Sequence, residues 1–113
     1  MNLTTDQAAF STALNALVLG SGNDWQESQL EALMQVALHS NEIGFRSGAV
    51  KTFVLMTDAD YHRAGDGIEA GITTANNGDG ILNGTPAGAG EDYPTVTMVA
   101  SITSCGYSAH FLQ

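Results

Sequence analysis

The stretch Val50-Lys51-Thr52-Phe53-Val54-Leu55-Met56-Thr57-Asp58-Ala59-Asp60 constrains this chain most. An apolar, β-branched and aromatic run stops abruptly at a polar, acidic turn. Its length suits a strand rather than a helix, and its weak alternation predicts a strand covered on both faces. Asp58 then falls at the C-terminal mouth of that strand, the end where open α/β sheets bind ligands. The turn is therefore one half of a candidate metal-dependent site, with Glu27 as its main partner.

The flanking segments carry helical spacing. Thr4-Thr5-Asp6-Gln7 supplies capping oxygens, and Ala9, Phe10, Ala13, Leu14, Leu17 and Val18 recur on one face, so a helix is expected over 6–18. The residues Gly20-Ser21-Gly22-Asn23 end it. A second helix is expected to open near Asp24–Glu27, with Leu30, Leu33, Met34, Ala37 and Leu38 as its apolar stripe and Asn41-Glu42 at its close. Glu27 lies at or before its first turn, where a carboxylate complements the helix dipole.

From Asp58 to Gly90 periodicity disappears, apart from a short element near Ile68–Ile72. Pro94 stands where a further helix can begin, and Val96, Met98, Val99 and Ile102 give it a stripe. Ser108-Ala109-His110-Phe111-Leu112 opens a second strand. The order is helix, helix, strand, long loop, helix, strand. That order predicts an α/β fold with a parallel βαβ core and flanking helices, part of a doubly wound, Rossmann-like sheet with an edge left uncovered.

Charge narrows the partners. The chain of 113 residues has 12 acidic residues against Arg46, Lys51 and Arg63, a net charge of −9. A nucleic-acid binder needs a basic face, and an anionic membrane surface would repel this chain, so neither partner is expected. No run approaches the roughly 20 apolar residues of a membrane span. The first residues lack the basic head and apolar core of a signal peptide. A single cysteine, Cys105, forbids an internal disulfide and reads as a quiet, partly buried thiol.

Oxygen donors concentrate in Asp58-Ala59-Asp60-Tyr61-His62 and Asp66. The spacing fails as a calcium-binding EF-hand, because His62 takes a ligand position and Arg63 the glycine position. Asn76-Asn77-Gly78-Asp79-Gly80 has asparagine and Asp-Gly turn chemistry but Ala75 and Pro86 where carboxylates belong, so it reads as a turn cluster. His62 is either a ligand or base in the binding loop or a hydrogen-bonded residue locking it, and the second is favoured. His39 should complement the C-terminal dipole of the second helix. A hydrolase using Asp58, His62 and Asp66 is a weaker alternative, since no spacing selects a nucleophile.

Seven stretches in order resemble one family: Thr5-Asp6-Gln7 with Phe10; Asp24-Trp25-Gln26-Glu27 leading into Leu30-Glu31-Ala32-Leu33-Met34; Ile43-Gly44-Phe45-Arg46; Thr57-Asp58-Ala59; His62 with Ala64-Gly65-Asp66-Gly67; Gly71-Ile72 with Asp79-Gly80; and Asp92-Tyr93-Pro94-Thr95. The chain resembles the von Willebrand factor A domain, in its integrin β-subunit I-like form, from about residue 3 onward. The resemblance implies a protein-binding, cell-adhesion module rather than an enzyme, set outside the cell or at its surface. It implies Mg²⁺ (or Mn²⁺ or Ca²⁺) at a metal ion-dependent adhesion site, the cation's shell being completed by an acidic side chain of the protein ligand. Glu27 and Asp58 match ligands of that site, and Asp24 matches a carboxylate of a neighbouring calcium site. Asp60, His62 and Asp66 fall in the ligand-binding loop. Gln26 stands where a proline is usual and Gly22 where an asparagine ligand is usual. The family's Asp-x-Ser-x-Ser motif is absent from these residues. The cation site is therefore expected to be incomplete in residues 1–113. They read as a partial domain lacking its first strands and its last strand and helix, which is a non-functional fragment, a part completed by the missing N-terminal portion on another chain, or a piece of a longer protein.

Overall fold

The computed structural model describes residues 4–18, 24–104 and 106, and the backbone of 107–112. Gly22 and Cys105 lie outside the described residues. The elements, in order, are α1 (Gln7–Asn15), α2 (Gln29–Leu38), α3 (Ser40–Ile43), β1 (Lys51–Met56), a 3-10 turn (Asp66–Ala70), α4 (Val96–Thr103) and β2 (Tyr107–Leu112). Helices and strands share one chain, as the α/β class requires. β1 and β2 run parallel, from Lys51 opposite Tyr107 to Met56 opposite Leu112. None of the described helices is long and apolar enough to cross a membrane.

Each helix starts and stops for a local reason. Asp6 caps α1, its Oδ1 accepting from the amides of Ala8 and Ala9 at 2.9 and 3.1 Å. α1 ends at Asn15 rather than at 18. None of its residues is buried, so no packing extends the last turn, and short helices lean on packing for their stability. α2 begins at Gln29, later than expected, because Glu27 is drawn into an isolated parallel bridge with Tyr61. Glu27 therefore has no place in the first helical turn. α2 stops at Leu38, and residues 40–43 form the separate short helix α3, closed by Gly44 at φ 80°. α4 begins at Val96, two residues after Pro94, and Thr95 caps it, its Oγ1 accepting from the Met98 amide at 3.1 Å.

The core is small. Leu30, Leu33 and Met34 of α2 pack on Val99 of α4, with Phe53, Leu55, Tyr61, Met98 and Ile102 around them. β1 departs from expectation. Lys51, Phe53 and Leu55 are half-buried while Thr52, Val54 and Met56 are exposed, so the strand is covered on one face, not two. Its apolar sequence does not reveal this, because an uncovered apolar face and a covered one are written with the same residues.

The stretch 58–90 is irregular, as the sequence predicts, but its turns are firmly bonded. The amides of Gly78, Asp79 and Ile81 donate to the side chains of Asn76, Asn77 and Asp79 at 2.9, 2.8 and 2.7 Å. These are the side-chain turns expected of the Asn76–Gly80 cluster. His39, at the C-cap of α2, reaches Glu42 through Nδ1 at 2.5 Å and the Gly80 carbonyl through Nε2 at 2.9 Å. It thus ties this loop to the helix end. The Gly80 contact acts first, with Glu42 beside it, to raise the imidazole pKa above 6.5.

Candidate functional site

Two segments that are distant in sequence meet at the mouth of β1. One is Asp24–Ser28, entering α2; the other is Thr57–Asp66, leaving β1. Backbone bonds join them: the Glu27 amide donates to the Asp60 carbonyl at 3.0 Å, and the His62 amide to the Glu27 carbonyl at 2.9 Å. Glu27 and the Asp58 turn are therefore neighbours, and the side chains of both residues are exposed. A shallow depression of about 290 Å³ lies here, lined by Thr57, Asp58, Ala59 and Asp60.

The turn itself is bonded from within and from behind. The Ala59 amide donates to Thr57 Oγ1 at 3.2 Å, and Tyr61's amide to Asp60 Oδ1 at 2.9 Å. From behind, Gln29 Nε2 meets Thr57 Oγ1 at 2.8 Å, the Ala59 carbonyl at 3.1 Å and the Asp60 carbonyl at 3.4 Å. Asp60 Oδ2 stands 3.8 Å from Arg63. Both groups are exposed, so this ion pair contributes little.

His62 is the buried centre of the loop, only 7% exposed. Its Nε2 lies 3.2 Å from Asp24 Oδ2 and its Nδ1 3.4 Å from Asp66 Oδ2. Its ring stacks on Tyr93 with centroids 4.1 Å apart and planes within 8°. The Tyr93 phenol is raised above its ordinary pKa of 10.0, first by burial, against a bond with Ser28 that lowers it. Asp66 Oδ2 also accepts from the Arg63 amide at 2.9 Å. Next door, Asp92 receives the Gly65 and Gly67 amides at 2.5 and 2.9 Å. Burial works to raise the Asp92 carboxyl, but the amides of Gly65, Gly67 and Tyr93 and the His62 ring together hold it below 3.8.

The structure thus brings four of the six sequence-derived residues, Asp24, Glu27, Asp60 and His62, into bonded contact across these two segments, and Asp66 meets His62 within the second. Asp24, His62 and Asp66 form one cluster, and Glu27 and Asp60 meet through their backbones. Asp58 sits exposed on the turn between Thr57 and Ala59. His62 has a carboxylate at each nitrogen and an aromatic ring on one face. Asp24 faces His62. Among the described residues, no three His, Cys, Asp or Glu side chains converge in a group able to hold a metal ion. Mg²⁺ fills an octahedral oxygen shell, so a cation held by two carboxylates here would take its remaining oxygens from water or from other donors. Gln29, Tyr93 and Asp92 were not among the candidates drawn from sequence. A polar Gln29 opening an apolar helical stripe was the available signal; Tyr93 and Asp92 lie too far along the chain for spacing to connect them to His62.

Residues 1–105 match the family model of the integrin beta chain VWA domain. The chain is 31% identical over 105 residues to integrin beta pat-3 of Caenorhabditis elegans, covering 88% of this chain and 13% of that protein. It is 34% identical over 98 residues to integrin beta-1-B of Xenopus laevis, covering 85% and 12%. With integrin beta-2 of Bos taurus it shares 33% over 102 residues, covering 88% and 13%. The chain therefore spans only about an eighth of the length of these relatives. Family match, shared identity and an α/β architecture agree: this chain belongs to the integrin beta chain VWA domain family.

Proposed function

We propose that this chain is the ligand-facing part of an adhesion-type protein-binding module at a cell surface, with the mouth of β1 as its binding face. The observation that carries this reading is the backbone stitching of Glu27 to Asp60 and His62, which sets an acidic segment beside the Asp58 turn. On this reading β1 and β2 are the parallel pair of a partial doubly wound VWA sheet spanning residues 1–113. Glu27 and Asp58 are the two carboxylates contributed toward a divalent cation, Mg²⁺ for preference, and further oxygen donors come from outside the described residues. Such a cation supplies a positive centre for an acidic side chain of the protein ligand. The chain's own residues place the two carboxylates and hold the loop still. Asp24 and Asp66 do the second task through His62.

Calorimetry with Mg²⁺ and Mn²⁺ tests the reading. The wild-type chain should give a heat of binding that Asp58→Ala and Glu27→Ala each diminish. A wild-type response no larger than that of Asp58→Ala would overturn it. The exposed Phe10 and Leu14 of α1 and Val54 and Met56 of β1 favour a second reading, a partial domain that binds nothing until these faces are covered. A broad, non-cooperative thermal transition together with no metal heat would select that second reading.

A further inference from the structure

Gln29 is 7% exposed, and its side chain spends the whole of its donor capacity on one object. Nε2 points at Thr57 Oγ1, the Ala59 carbonyl and the Asp60 carbonyl, the three oxygens that flank Asp58 in the turn. The other end of the amide, Oε1, is buried and meets no hydrogen-bond donor of the protein among the described residues. The donors' choice of three oxygens fixes the orientation of the amide, since a flipped amide would face them with a carbonyl. An apolar side chain of the same size would fill the space but would leave those three oxygens without this donor. A glutamine here is therefore explained by what its N–H groups hold and not by the volume it fills. Two residues earlier, the Glu27 amide bonds the same Asp60 carbonyl at 3.0 Å. Side chain and backbone of residues 27–29 thus grip one turn from one side.

We infer that Gln29 is the positioning residue of this acidic mouth: its amide sets where the Asp58 turn lies relative to the Glu27 segment. The inference rests on the binding face proposed above. It adds the residue that fixes the spacing of the two carboxylates.

The test uses the whole 113-residue chain and the variant Gln29→Met, which keeps the bulk and removes the amide. Without added metal, hydrogen exchange at the amides of Glu27 and His62 should speed up by about tenfold or more, while Val99 in α4 stays protected. With Mn²⁺ as the probe, paramagnetic broadening at Glu27 and Asp58 should need about tenfold more metal, the size of effect seen when a group orienting a metal ligand is lost. Thr57→Val removes one of the three acceptors, together with the Thr57–Ala59 bonds, while leaving Gln29 in place, and should speed the same two amides. Unchanged exchange at Glu27 and His62 in both variants would overturn the inference, because bulk alone would then suffice. Faster exchange with unchanged Mn²⁺ broadening would overturn it as well, since the position of the turn would not matter to the carboxylates. If Mn²⁺ broadens neither residue in the wild type, the cation reading fails, and the exchange measurement decides the role of Gln29 by itself.

Discussion

Replacing Asp92 with asparagine should loosen the loop that holds His62, and the cost can be worked from two bonds. The Asp92 carboxylate receives Gly65 N–H at 2.5 Å and Gly67 N–H at 2.9 Å, one on each oxygen. A bond to a charged group contributes about 1.5–3 kcal/mol net. Asparagine keeps one carbonyl for one amide and turns its NH₂ group toward the other, so one bond is lost and two donors face each other. Asp92 is only half-buried, and water can relieve part of that conflict. The expected loss is therefore about 2 kcal/mol, toward the lower end of what one such bond contributes. Urea unfolding measures it, with an unchanged slope and a lower midpoint. The pH dependence gives an independent sign. The folded carboxyl sits below its ordinary 3.8, so its contribution is full above about that pH and is lost as pH falls through the folded value. The gap between wild type and Asp92→Asn should accordingly narrow on acidification below roughly 3.8. A change within about 0.5 kcal/mol, the range of ordinary surface substitutions, would refute the view that these amides are held by charge.

Met34 is 0% exposed at the centre of the α2–α4 contact, so Met34→Ala should cost about 2–5 kcal/mol in urea unfolding. A methyl group on Gly67 would stand 2.7 Å from Asp92 Oδ1 and 3.2 Å from the Ile72 Cβ, so Gly67→Ala should destabilise by about 1–3 kcal/mol, checked by the same assay. His39 is raised above 6.5 by the Gly80 carbonyl first and by Glu42, so its contribution is full below about 6.5 and is lost as pH rises through the folded value. Glu42→Gln should flatten that fall, measured as the urea midpoint from pH 5.5 to about 9.

Much of this was legible along the chain. Periodicity located α2 and α4, because their stripes are set by helical geometry alone. The turn chemistry of Asn76, Asn77 and Asp79 was equally local, since each side chain bonds an amide two residues on. The polar stop at Asp58 marked the mouth of β1 because strand and turn residues differ in kind. What sequence could not reach was every contact that closes over a long separation. The one-sided cover of β1 depends on which helices pack against it, and nothing in Lys51–Met56 encodes that. The start of α2 moved to Gln29 because a bridge to Tyr61, more than 30 residues away, took Glu27 out of the helix. His62 could be read as ligand or lock from sequence; that Asp24, Asp66 and Tyr93 surround its ring is visible only in the tertiary structure. The amino acids by themselves determined where the chain turns helical, extended or acidic, since those choices act within a few bonds. The tertiary structure alone decided which acidic groups meet, because burial and hydrogen bonding between distant segments depend on the packing that brings them together.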